Sequence, residues 1–282
     1  VNRPQLLVGI AALLSVAALL LFSKTEADMH TRADKPPSPG AIRQSSFTTD
    51  SMLRQAKSSL NPAQALRLNE LESSMSRGDI KAQQIKANHD LSHFWGDIAR
   101  VFEPYAWYEA EAARLENSEK NLIFAARLFL GNIRSETNTA KKKWIAQQAK
   151  DLYERSLSVN PSNDSAKVEL GIAITYGELS PMPMEGIQKI REVLAKDSTN
   201  IYALTALGDA SVHSMQYDRA IERFKKILSL EPQNLDAILK LADAYTMMGK
   251  KTEAIEWYKK SLPLLKRDDW KQEVQKRIDE LK

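Results

Sequence analysis

His89, His93 and Asp97 recur at intervals of four, which places them on one face of a helix. Imidazole and carboxylate at that spacing can hold a metal ion. No third histidine or further base accompanies them, and His213 stands in a distant segment, so the reading is polar helix surface and no metal. The chain has no cysteine, which excludes disulfides, thiolate metal sites and cysteine nucleophiles. Its carboxylates fit helix-surface pairs such as Glu256 with Lys260. No Gly-rich phosphate loop follows a strand. Trp95, Trp107, Trp144, Trp257 and Trp270 read as packing residues, and Lys141-Lys142-Lys143 as a solvated helix start. No catalytic residue, cofactor or small-molecule substrate emerges, so the chain reads as no enzyme. A net charge of +4, from 40 basic and 36 acidic residues, gives no concentrated drive toward nucleic acid.

The elements that would carry any site come in two kinds. Between Arg3 and Lys24 no charged residue occurs, and the run from Leu6 to Phe22 is apolar except for Ser15. Its length predicts a transmembrane helix over 1–23. A cleaved signal peptide, with Thr25 and Ala27 flanking the cut, is the alternative, disfavoured by the length of the run and by the lack of two well-placed small residues at that cut. Flanking Lys24, Arg32 and Lys35 favour a cytoplasmic domain, whereas the short tail before a signal-like run favours export. The reading taken is a single-pass membrane protein with a periplasmic domain, the cytoplasmic side being the alternative. Residues 24–60, with Lys35-Pro36-Pro37-Ser38-Pro39-Gly40, read as a linker. Everything beyond shows helical periodicity.

That periodicity repeats. In Ile201–Asn234, Leu204, Leu207, Gly208, Ala220, Phe224, Ile227 and Pro232 fall at positions 4, 7, 8, 20, 24, 27 and 32. From Leu235, Ile238, Leu241, Ala242, Tyr245, Ala254 and Tyr258 fall at 4, 7, 8, 11, 20 and 24. Small residues at positions 8 and 20 let two helices approach closely, and large apolar residues fill the space between units. Degenerate units run over 164–200 and, with Ala126, Phe129, Ala149 and Tyr153, over 61–163. The pattern resembles the tetratricopeptide-repeat (TPR) family, with departures at Ser211 and Lys266. The fold class expected is therefore all-α: a transmembrane helix, then a TPR α-solenoid of repeats 164–200, 201–234 and 235–266. A capping helix bearing Trp270, Val274, Ile278 and Leu281 closes it.

The resemblance implies a concave groove lined by positions 2, 5, 9, 12 and 13 of each first helix. On this sequence it implies protein binding by Tyr176, Tyr202, Thr205, Asp209, His213, Asp236, Leu239, Asp243 and Met247. Ser165, Val168, Ile172, Thr175, Val212 and Thr246 hold the remaining places. The repeated carboxylates Asp209 and Asp243 favour a partner segment both basic and apolar. The whole resembles single-span bacterial TPR proteins, which implies a membrane-tethered scaffold for envelope complex assembly or protein export. The alternative is a noncatalytic subunit of an envelope enzyme or cytochrome-assembly complex.

Overall fold

The computed structural model describes residues 47–75, 80–179 and 184–282. All of them belong to one unit. Its α-helices are α1 (Thr49–Ser58), α2 (Pro62–Met75), α3 (Lys81–His93), α4 (Phe102–Glu116), α5 (Glu119–Asn132), α6 (Thr139–Val159), α7 (Asp164–Tyr176), α8 (Met184–Lys196), α9 (Ile201–His213), α10 (Tyr217–Leu230), α11 (Leu235–Met247), α12 (Lys251–Ser261) and α13 (Asp268–Leu281). A π-helical turn, Phe94–Ala99, extends α3, and a 3₁₀ turn, Leu262–Leu264, extends α12.

Local chemistry sets the helix starts. Asn163, Asn200 and Asn234 stand just ahead of α7, α9 and α11, each accepting a hydrogen bond from the backbone N–H three residues on. Ser118 and Asn138 do the same for α5 and α6. A side-chain acceptor there satisfies an N–H that the helix itself leaves unpaired.

Consecutive helices pack as antiparallel pairs, α3–α4, α5–α6, α7–α8, α9–α10 and α11–α12, and each pair stacks on the next. The small positions explain the closeness. A Cβ added at Gly208 would lie 2.4 Å from the Phe224 ring, so any side chain there drives α9 from α10. Phe224, Ile227, Ala220, Ala242 and Ala254 have no exposed surface. Full burial of a side chain such as Phe224 contributes about 2–3 kcal/mol. Buried apolar residues of the central and C-terminal pairs form two clusters, and Leu194 packs against both. At the C-terminal end, Val274 and Ile278 of α13 close the stack in one cluster with Tyr258 and Leu265.

Two expectations are corrected. The predicted transmembrane helix, 1–23, lies outside the described residues, and among these no helix is long and apolar enough to cross a membrane. Among the described residues the fold class is thus an all-α solenoid of paired helices with no membrane span. With the span go the resemblance to single-span proteins, the membrane as a partner and the single-pass periplasmic placement. The second correction concerns 24–60, read as a linker. Part of it is α1, begun by a reciprocal capping box of Thr48 and Ser51. Met52 and Ala56 are buried, Phe47 packs edge-on to Trp144 at 5.4 Å, and the Trp144 indole donates to Thr49 Oγ1 at 3.1 Å.

Candidate functional site

His89, His93 and Asp97 do not converge. His93 Nδ1 lies 3.1 Å from Asp97, both exposed, whereas His89 turns to α4, with Nε2 3.1 Å from Glu116 and Nδ1 3.7 Å from Glu109. Burial lowers the affinity of His89 for a proton. The hydrogen bond to Glu116 and the charges of Glu109 and Glu116 more than offset this, and its pKa ends above the ordinary 6.5. Among the described residues no group of three or more His, Asp or Glu could hold a metal ion.

The site is a groove across the first helices of four pairs. Arg127, Leu130, Gly131 and Arg134 of the α5 segment form one wall, with Ile172 of α7 on the floor. Tyr202, Thr205, Ala206 and Asp209 of α9 and Lys240 of α11 form the other. The hollow is open and measures about 450 Å³.

Two ionic networks cross its floor. Arg127 donates through Nε to Glu169 at 2.9 and 3.2 Å, and the Tyr202 hydroxyl donates to the same carboxylate at 3.2 Å. Glu169 is buried beneath both. Burial, then the Glu169 charge, pushes the Tyr202 phenol up, so it stays a donor. Further along, Asp209 accepts from Arg134 at 3.1 Å and from Lys240 at 2.9 Å. One carboxylate thereby joins the α5 segment, α9 and α11. Arg134 also lies 4.4 Å above the Tyr176 ring, and His213 packs against the same ring at 5.0 Å.

Of the residues expected to bind a partner, Tyr202, Thr205 and Asp209 line this groove together. Asp243 and Met247 line a separate hollow with Tyr258, Arg277 and Leu281. Asp236 is exposed and pairs with Lys240. Tyr176 is buried and backs the wall through its stack with Arg134 and His213, and Leu239 packs on the core. Of the remaining expected positions on α7, Val168 has no exposed surface, Thr175 turns its hydroxyl to the Gly171 carbonyl, Ser165 is exposed but stands outside the lining, and Ile172 lines the hollow. The groove is not acidic. Asp209 is covered by two cations, and Asp243 accepts from Tyr258 and from Arg277, the latter at 3.2 Å.

Sequence reasoning passed over the α5 wall and Lys240. For the first, a signal exists: with Ala126 at position 8, Arg127, Leu130 and Gly131 take positions 9, 12 and 13. Lys240 sits at position 6, which the template does not assign to a groove.

A tetratricopeptide-repeat model matches residues 211–272, spanning most of the last two pairs and the start of α13. Comparison with curated proteins returned no match. The fold is similar to several solved solenoids. One is MamA, at 16% identity over 64% of this chain and 92% of that one, TM-score 0.44. A second is YrrB, described as a TPR protein with an unusual peptide-binding site, at 15% identity over 73% and 97%, TM-score 0.42. A third is a MamA fragment from Desulfovibrio magneticus RS-1, at 20% identity over 66% and 96%, TM-score 0.44.

Proposed function

We propose that the chain is a protein-interaction scaffold whose groove holds a segment of a partner protein. The observation that carries this is Gly131. It lies in the last turn of α5 with ordinary negative φ, so no left-handed cap requires it. A Cβ built on it meets nothing within 4 Å, so packing does not require it either. It leaves bare backbone on the wall between Arg127 and Arg134, beside Tyr202, where another chain can approach closely. Phe124, half-exposed and one turn before Arg127, extends that face.

The membrane-tethered form of this function is not carried forward, since among the described residues no helix can serve as the tether. The subunit of an envelope enzyme or cytochrome-assembly complex rested on the same anchor and goes with it.

The test uses Gly131→Leu. The substitution adds bulk to the groove wall at a position where a Cβ meets nothing within 4 Å. Glycine is the weaker helix former by up to about 1 kcal/mol, so the melting temperature is expected to hold or rise slightly. A photo-cross-linking residue at Thr205 is expected to trap partner segments in cells, and adding Gly131→Leu to suppress the trapping. Cross-links from Glu222, on the outward face of α10, that are equally strong, or Thr205 cross-links indifferent to Gly131→Leu, would refute the reading.

A further inference from the structure

The polarity of the groove follows from which partner in each ion pair is buried. In the Arg127–Glu169 pair the arginine is 56% exposed and the carboxylate 6%. In the Arg134–Asp209 pair the figures are 49% and 13%. Lys240, at 28%, is also more open than the Asp209 it bonds. In each pair the carboxylate is the more buried partner and the cation the more exposed one.

Their bonding capacities differ in the same sense. Glu169 accepts from Arg127 and from Tyr202, and Asp209 from Arg134 and Lys240. An ionised carboxylate only accepts, so these two offer little to a newcomer. A guanidinium has five N–H donors. Arg134 donates to Asp209 through Nη1, lines the hollow and remains half-exposed. Three cations and one carboxylate line the hollow. Asp236 touches Lys240 from its own helix but stands outside that lining. Between the cations lie Leu130, Ile172 and the Tyr202 ring, all able to take large apolar side chains.

We propose that the groove selects an acidic segment carrying large apolar residues, its carboxylates on Arg127, Arg134 and Lys240 and its apolar side chains on Leu130, Ile172 and Tyr202. This rests on the groove being the binding face. It reverses the basic partner that the sequence positions of Asp209 and Asp243 suggest, because those carboxylates are already neutralised. Asp209 becomes a restraint on affinity: it holds two cations that a ligand carboxylate would otherwise share.

The experiment measures binding of three labelled peptides by fluorescence anisotropy. They share the same Phe and Leu residues and differ in carrying Glu, Gln or Lys at the remaining places. The Glu peptide is expected to bind the intact chain at least about tenfold more tightly than the Lys peptide, a difference that shrinks as salt screens the charges. Asp209→Asn, nearly isosteric, is expected to tighten the Glu peptide about three- to fivefold, the size of one surface ion pair. Gly131→Leu is expected to abolish its binding. Equal or tighter binding of the Gln or Lys peptide, still lost in Gly131→Leu, overturns the inference and leaves the groove reading standing. Glu-peptide binding indifferent to Gly131→Leu overturns both. No binding of the Glu peptide overturns the inference alone, since the cross-links from Thr205 decide the groove reading separately.

Discussion

Glu178, Met215 and Gly249 occupy the same place in three successive repeats, the turn between first and second helix, and all have positive φ: 52°, 57° and 71°. The turn demands a left-handed residue, and of the three repeats just the last supplies the type that adopts it freely. In an L residue that conformation costs about 1–2 kcal/mol. The Met215 side chain, 77% exposed, makes no compensating burial. Met215→Gly is therefore expected to raise the urea midpoint, the stability gained being about 0.5–1 kcal/mol after the extra entropy of an unfolded glycine is subtracted. Gly249→Met should lower it, and midpoints moving the other way would mean that the turn tolerates either residue. His89 supplies a pH prediction. Its folded pKa is raised, so its pairing with Glu116 and Glu109 stabilises fully below the ordinary 6.5 and is lost as pH rises through the folded value. The stability gap between the native chain and His89→Gln should narrow from mildly acid to mildly alkaline pH. A gap constant across that window would contradict the pairing. Residues such as Tyr202 and Thr205 could be placed in the groove from their repeat position. The ionic partners of Asp209 could not, because Arg134 and Lys240 lie 75 and 31 residues away and no period connects them.

Among the elements, α9 to α12 could be read from sequence because packing itself writes the pattern. Two helices meet only where small residues allow, and Gly208 with Ala220 and Ala242 with Ala254 mark those places. Gly208→Leu is expected to lower stability by at least about 1–3 kcal/mol through overpacking, against almost no change for the exposed Glu222→Ala. Equal melting temperatures would show that α9 and α10 cross elsewhere. The caps make a second, independent test. Asn234 Oδ1 accepts from the Ala237 N–H at 2.9 Å, and Asn234→Ala should cost about 1 kcal/mol, checked by urea titration. By contrast α1 was hidden by composition. Thr48, Thr49 and Ser51 belong to a Ser- and Thr-rich stretch that reads as linker, yet Thr48 and Ser51 cap a helix. What distinguishes it is the spacing of Phe47, Met52, Leu53 and Ala56. The first of these finds its partner only at Trp144, far along the chain, where no local pattern could point to it.

For the whole molecule, stacking leaves every pair dependent on its neighbours, and the last one on α13. Val274 and Ile278 cover the end of the core, and α13 is otherwise charged on its outer face. Ile278→Asp should unseat it and expose Tyr258 and Leu265, lowering cooperativity of unfolding and promoting association at high concentration, both readable by urea titration and sedimentation. A monomer with native stability would mean that α12 closes the stack unaided. The Asp209 bridge adds a long-range tie that nearest-neighbour stacking lacks, since it joins the first-helix segments of three pairs across the groove.

The open backbone at Gly131 also has a practical use. Because the chain contains no cysteine, Gly131→Cys would carry a single thiol. A Cβ at that position meets nothing within 4 Å, so the thiol itself would be accommodated and open to a labelling reagent. A dye attached there would stand between Arg127 and Arg134 in the space a bound segment would need, so labelling one atom would switch the groove off in the assembled protein without a change of fold.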